Sequence, residues 1–276
     1  MNRWLGRSVL SATLLSLTSF LAIAQREESR GSISCRDNWS NERLASHCEI
    51  KEQSIVPTGG AIAVDARKNG GVSIKGWEKN EILVRARIQT AAPTQNEADE
   101  LAKQVTIQTA GAKISAAGPE ARKDYHWHVS YEVFVPVQSD LSIEAHNGGI
   151  SITDVRGRLQ FTGVNGVVVL KRVGGSVHGG TTNGGVVVEL SGDRWDGEAL
   201  DVKTTNGGIV MSLPENYSAH LETSTVNGHL SVDFPVTVQG RISKELAVDL
   251  GSGGPTVRAT TTNGGVRIKR LGSVNN

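Results

Sequence analysis

Asparagine followed directly by glycine recurs at Asn69, Asn147, Asn165, Asn183, Asn206, Asn227 and Asn263. A second glycine follows in five of the seven; Val167 and His229 take its place in the others. From Asn147 onward the spacings are 18, 18, 23, 21 and 36 residues, so a unit of 18 residues repeats with insertions. The extra residues fall around Gly192–Glu198 and, in the last gap, from Phe234 to about Gly254. A recurring period of this size marks an architecture whose units bury their apolar faces against one another.

Alignment on the asparagine gives columns of constant character. Three residues later stand Val72, Ile150, Val168, Val186, Ile209, Leu230 and Val266. Five residues later stand Ile74, Ile152, Leu170, Val188, Met211, Val232 and Ile268. Six residues earlier stand Ala63, Leu141, Leu159, Val177, Leu200, Leu221 and Val257. The period-two spacing makes these columns the inward faces of strands. Two residues before the asparagine the side chains are small in six of the seven units (Ala145, Gly163, Thr181, Thr204, Thr225, Thr261), as a tight corner requires, with Arg67 the outlier.

Two architectures accommodate these columns. Asn-Gly is a strong type I′ turn signal, which would give an antiparallel meander of hairpins. A β-solenoid would instead stack equivalent strands in parallel, with the asparagines bonded amide to amide along one corner. The fixed column order and the near-constant unit favour the solenoid. Composition agrees with an all-β-dominated chain: 32 glycines against 4% aromatic residues is spending suited to many tight corners.

The N-terminus has a different character. Arg3 and Arg7 precede an apolar run from Val9 to Ile23 that ends in Ala22-Ile23-Ala24. This is the pattern of a secretory signal peptide over 1–24, too short and too rich in Ser and Thr for a comfortable membrane span. The mature chain is then expected to be exported to the periplasm, cell surface or medium, with no integral membrane segment. Cys35 and Cys48, the only two cysteines, are expected to form a disulfide in that oxidising setting. A metal site built from both with His47 fits no familiar ligand spacing.

The 276 residues suffice for one large or two small domains. Residues 25–52 read as a polar N-terminal segment, 53–136 as a β-rich region, and 137–276 as the repeat solenoid. Strands are expected at 61–64, 72–74, 81–88, 105–109, 113–116 and 127–135. One helix is expected at about 94–106, capped by Thr94 with Glu97 as capping-box partner. Ala98, Leu101, Ala102 and Val105 give it an apolar stripe.

The repeat motifs carry a resemblance. His146-Asn147-Gly148-Gly149-Ile150, Thr181-Thr182-Asn183-Gly184-Gly185, Thr204-Thr205-Asn206-Gly207-Gly208, Val226-Asn227-Gly228 with Val232-Asp233-Phe234-Pro235, and Thr262-Asn263-Gly264-Gly265 resemble an exported bacterial family, domain of unknown function 4097. Its members are described as candidate adhesins with β-strand repeats. The resemblance runs from about Cys35 onward. It implies a β-solenoid-like fold and a cell-envelope setting, and it supplies no catalytic residue.

Chemistry-bearing motifs are few. Asp193-Arg194-Trp195-Asp196 pairs carboxylates with a tryptophan, as a sugar-cleaving site would, but a solvated inter-coil loop is the plainer reading. Asp154, Glu198 and Asp201 are the other acidic residues near the repeats. His126 and His128 share a strand face around Trp127 without a visible third metal ligand. The glycine pairs precede no Lys-Ser/Thr helix and so form no phosphate loop. A net charge of +1 gives no electrostatic case for nucleic acid.

One column points to a surface. Four residues after the asparagine, facing outward, stand Ser73, Ser151, Val169, Val187, Val210, Ser231 and Arg267. Stacking would align Val169, Val187 and Val210 into an apolar stripe, a feature that usually meets something. Cover by the chain's own N-terminal region, the 94–106 helix in particular, is favoured over a second protein or a second copy.

The expected function is a non-catalytic, cofactor-free cell-envelope protein, an adhesin-like binding module or structural scaffold. Its partner would be a protein or an envelope component, and a homo-oligomer is compatible. The alternatives are an accessory or sensory domain of an envelope signalling system and, less favoured, a carbohydrate-active β-helix enzyme.

Overall fold

The computed structural model describes residues 33–35, 43–66, 68–120, 122–233 and 244–271. Residues 1–24, read as a signal peptide, most of the polar stretch after them, and the first part of the 234–254 insertion lie outside the described residues. The chain divides at Ser34, and one compact unit runs from Ser34 to Asn276.

The first part of this unit holds β1 (Ala45–Ile55), β2 (Ile62–Asp65), β3 (Val72–Trp77), β4 (Ile82–Ala92), α1 (Gln95–Gln104), β5 (Thr106–Gln108), β6 (Lys113–Ala117) and β7 (His126–Pro136). The second part continues with β8 (Leu141–Asn147), β9 (Ile150–Thr153), β10 (Arg156–Asn165), β11 (Val168–Lys171), β12 (Gly174–Asn183) and β13 (Val186–Glu189). It ends with β14 (Ala199–Asn206), β15 (Ile209–Leu213), β16 (Ala219–Asn227), β17 (Leu230–Val232), β18 (Glu245–Leu250), β19 (Thr256–Asn263) and β20 (Val266–Arg270).

These strands form two ten-stranded sheets. One runs β1-β4-β7-β3-β9-β11-β13-β15-β20-β17, the other β18-β16-β19-β14-β12-β10-β8-β2-β6-β5. Strands on either side of an Asn-Gly step lie in different sheets, and each pairs in parallel with its equivalents. The steps are therefore corners between two sheets, and the hairpin alternative is excluded.

The apolar columns meet in the space between the sheets. Ile150, Val168, Val186, Ile209 and Val266 are buried in one sheet, and Leu141, Leu159, Val177, Leu200, Val257 and Leu221 oppose them from the other. Burial alternates along the strands even where β11, β13 and β15 carry three apolar residues in succession. The alternation here leaves one face of each sheet outward.

Glycine at the corner is a packing requirement. A Cβ on Gly148, Gly166, Gly184 or Gly207 would lie 2.0–2.3 Å from the carbonyl oxygen of the glycine in the adjacent unit. At the following position, a Cβ on Gly149, Gly185, Gly208 or Gly265 would meet its neighbour at 3.1–3.3 Å. This difference accounts for the two exceptions noted above: the second position admits Val167 and His229, and the first is glycine in all seven units.

Three departures from the sequence expectations have physical causes. First, Ala63 is not in the inward column. Ile62 pairs with Leu141 while Asn69 still pairs with Asn147, so one extra residue is accommodated between them. Ile62 and Val64 are buried in consequence, and Ala63 faces outward. Second, stacking order is not chain order. β19 lies between β14 and β16, and β20 between β15 and β17, so the Asn263 unit is inserted between those of Asn206 and Asn227. Third, β1 begins within the segment read as polar and takes in its last eight residues, and β18 pairs antiparallel on β16 within the final insertion.

The helix forms as its sequence requires. Thr94 Oγ1 accepts from the Glu97 N–H, and the Glu97 carboxylate accepts from the Thr94 N–H. Ala98, Leu101 and Ala102 are buried, and α1 packs on β1 and β4.

The glycine geometry makes a paired prediction. Gly184→Ala should destabilise the protein by about 3 kcal/mol, because backbone must move to admit the methyl group. Gly185→Ala should cost less than about 1 kcal/mol. Urea unfolding midpoints of the two variants will show whether this ordering holds.

Candidate interaction faces

The Asn-Gly corner is built from three interactions that repeat from unit to unit. The first is a continuous row of side-chain amides. In stacking order, Asn227 Nδ2 donates to Asn263 Oδ1, Asn263 to Asn206, Asn206 to Asn183, Asn183 to Asn165, Asn165 to Asn147, and Asn147 to Asn69, all at 2.8–3.0 Å. All point the same way, so each amide polarises the next. The second is a backbone bond from the glycine N–H of one unit to the asparagine carbonyl of the next, as from Gly184 to Asn206 at 3.1 Å.

The third was not anticipated. The small residues two before the asparagine are inward threonines in four units, and their hydroxyls are buried donors. Thr204 Oγ1 donates to the Gly184 carbonyl at 2.7 Å, and Thr181, Thr225 and Thr261 repeat the bond to Gly166, Gly264 and Gly207. Smallness was legible in the column, and the alternation of Ala145 and Gly163 with four threonines masked the polar role.

The outer face of the first sheet carries the valine stripe. Val169, Val187 and Val210 are directly paired neighbours on β11, β13 and β15. All three are half-buried, and exposed Val167 adjoins them at the corner. Ser151 and Ser73 continue the row on one side and Arg267 and Ser231 on the other. Beyond Ser73 the row reaches Glu132, fully buried beneath the ammonium of Lys75 at 2.7 Å and the guanidinium of Arg85 at 2.5 Å. The helix does not cover the valines: it packs on β1 and β4, at the far end of the same sheet.

The outer face of the second sheet is polar. A groove of about 690 Å³ runs across His178, Asp201, Lys203, Thr205 and Thr260. Arg258 bridges Asp201 and Glu222 across β14, β19 and β16, and the Glu222 carboxylate raises its pKa. At the second corner, Arg172 forms a two-pronged ion pair with Asp154 at 2.6 and 2.7 Å.

Several side chains of the motifs with potential chemistry have structural partners. Trp195 is buried at 2% exposure, its indole N–H bonded to the Gly175 carbonyl, so its ring is not available to stack on a sugar. Asp193 and Asp196 are exposed and pair with Arg194 and Arg156. Burial, reinforced by Asp193, pushes the Tyr217 hydroxyl pKa up. His128 bonds to Gln89 at 3.0 Å, and burial followed by Arg87 lowers its pKa. Trp127 donates to the Pro119 carbonyl, and His126 is exposed. Among the described residues there is no group of three side chains placed to hold a metal ion. Cys35 and Cys48 are joined in a disulfide, and His47 turns instead to Asp99 on the helix at 2.8 Å. No described helix is long and apolar enough to cross a membrane.

The sequence pattern of the Toastrack DUF4097 family matches residues 49–269. Among solved structures, a candidate cell adhesion protein from Clostridium sporogenes is similar at 12% identity, covering 81% of this chain and 100% of its own, with a TM-score of 0.41. A candidate adhesin from Bacteroides fragilis (10% identity, 81% and 97% covered, TM-score 0.34) and another from Parabacteroides distasonis (10%, 81% and 97%, 0.29) are also similar. No curated protein matches the chain.

The amide row predicts graded effects along its length. Asn183→Ala removes two row bonds and should cost about 1–2 kcal/mol; Asn69→Ala, at the row's end, removes one and should cost about half as much. Chemical denaturation of both variants will measure the ratio.

Proposed function

The chain belongs to the Toastrack DUF4097 family, and on that premise we propose that it is a non-catalytic, exported cell-envelope protein that presents a rigid β face to a partner. In this reading the Asn-Gly-Gly unit is the repeat of a β-solenoid, and the repeat serves to hold outward rows in fixed register. The observation that carries the proposal is the Val169–Val187–Val210 stripe. Three adjacent strands place an apolar residue outward at a position where their neighbours place serine or arginine.

Cross-strand valine pairs add only about 0.2–1 kcal/mol each to a sheet, and a contiguous row of them on a solvent face is suited to association. The disulfide of Cys35 with Cys48 fits an oxidising compartment and hence export. Adhesion, named for the similar structures, is one use of such a face; a protein or an envelope surface component is the partner class it suits.

The test is Val187→Lys in the mature protein. A folded variant, by circular dichroism and an unchanged urea midpoint, should lose capture of an envelope component or self-association by at least about tenfold, as for a central interface residue. Unfolding of the variant would instead mean the stripe is internal packing. Full retention of binding in a folded variant would remove the stripe from the function.

A further inference from the structure

Each Asn-Gly step holds the atoms of a reaction that needs no enzyme. The glycine backbone nitrogen attacks Cγ of the asparagine side chain, forming an N–Cγ bond while the Cγ–Nδ2 bond breaks and ammonia leaves. Water then opens the resulting succinimide to aspartate or isoaspartate. The glycine N–H must give up its proton and approach Cγ, so a nitrogen held in a hydrogen-bonded stack is a poor nucleophile.

Six of the seven steps are held in that way. The N–H groups of Gly70, Gly148, Gly166, Gly184, Gly207 and Gly264 each donate to the asparagine carbonyl of the next unit at 2.9–3.1 Å. The insertion of the Asn263 unit leaves Asn227 as the last in the row, with no further asparagine unit beyond it among the described residues. Among the described residues, the Gly228 N–H accordingly has no acceptor. The same end effect reaches the side chain: Oδ1 of each of the other six asparagines accepts from a neighbouring amide, and Asn227 Oδ1 has no such donor among the described residues. Asn227 is exposed, and the strand that follows it, β17, has only three residues.

We propose that Asn227-Gly228 is a site of spontaneous succinimide formation and deamidation in the native protein, and that the stack protects the other six Asn-Gly steps. Conversion removes the Nδ2 that donates to Asn263 Oδ1 at 2.9 Å and sets a carboxylate against that acceptor. Isoaspartate also adds a backbone carbon at the turn between β16 and β17. The modification therefore loosens the terminal unit first and leaves the interior of the row intact.

The test is ageing of the folded mature protein at mildly alkaline pH, followed by peptide mapping with mass spectrometry and isoaspartate detection. Asn227 should convert at least about tenfold faster than any of the other six, since those must first open the stack. In urea all seven should convert at comparable rates. Asn227→Gln, whose longer side chain disfavours the small ring, should abolish the fast event and leave the rest unchanged. Equal rates at the seven sites in the folded protein would overturn the proposal. So would an Asn227 that stays intact while the unfolded chain converts throughout, or a fast event that persists in Asn227→Gln.

Discussion

The approach of backbone to backbone at the Asn-Gly corner is the constraint on which the rest of the structure depends. With a side chain at the first glycine, neighbouring units could not come close enough to share hydrogen bonds through the corner. With glycine there, the corner N–H reaches the next asparagine carbonyl, the inward threonine reaches the next glycine carbonyl, and the amides meet in a row. The three interactions share one register. A slip by one residue would break all of them and also turn the apolar columns toward solvent. Each bond contributes only on the order of 1 kcal/mol, yet the set specifies the stacking because every alternative forfeits several at once.

That constraint also permits a stack whose order departs from the order of the chain. The Asn263 and Asn227 units present equivalent columns: Val257 and Leu221, Thr261 and Thr225, Val266 and Leu230, Ile268 and Val232. Either could dock on the Asn206 unit by local rules alone. The Asn263 unit, which takes the inner place, offers the broader match. β20 pairs with β15 over five residues, whereas β17 has three residues to offer, and Leu230 and Val232 remain half-exposed. The stronger unit occupies the inner position and the weaker one caps it, with β18 closing the edge of the second sheet. The connection is long in sequence, so this end of the stack forms through contacts of high sequence separation.

Much of this was legible in the sequence because the repeat samples each position several times. Most inward columns, the helix with its cap, the disulfide and the alignment of the three valines followed from residue type and spacing; the glycines were legible as corners, but their reason, the close approach of neighbouring backbones, was not. What was not legible was decided outside the period. The extra residue that moves Ala63 outward leaves the Asn69 anchor in place, so alignment on the anchor hides it. The inserted unit depends on a comparison of two equivalent partners, which a one-dimensional alignment does not make. β1 carries polar residues on both faces because one face looks to solvent and the other to the capped helix, so it lacks the alternation that reveals a strand. Trp195 read as a surface aromatic because its loop is rich in Asp and Gly; it fills a corner that the longer spacing opens.

The same logic bears on the proposed function. Rows set by the corner are determined by folding, and glycine, asparagine and inward threonine recur there for structural reasons alone. The outward row four residues after the asparagine carries no such requirement: serine, valine, arginine and buried Glu132 all occupy it. Apart from Glu132, which two ion pairs tie into the fold, no corner interaction dictates the residues of that row, and in the proposed function the three valines at its centre serve a partner. A rigid stack converts such a run into a flat stripe with strand spacing of about 4.8 Å. Because the register is fixed by the corner, the stripe is preorganised, and a partner that docks on it meets side chains already in place rather than ordering them on contact.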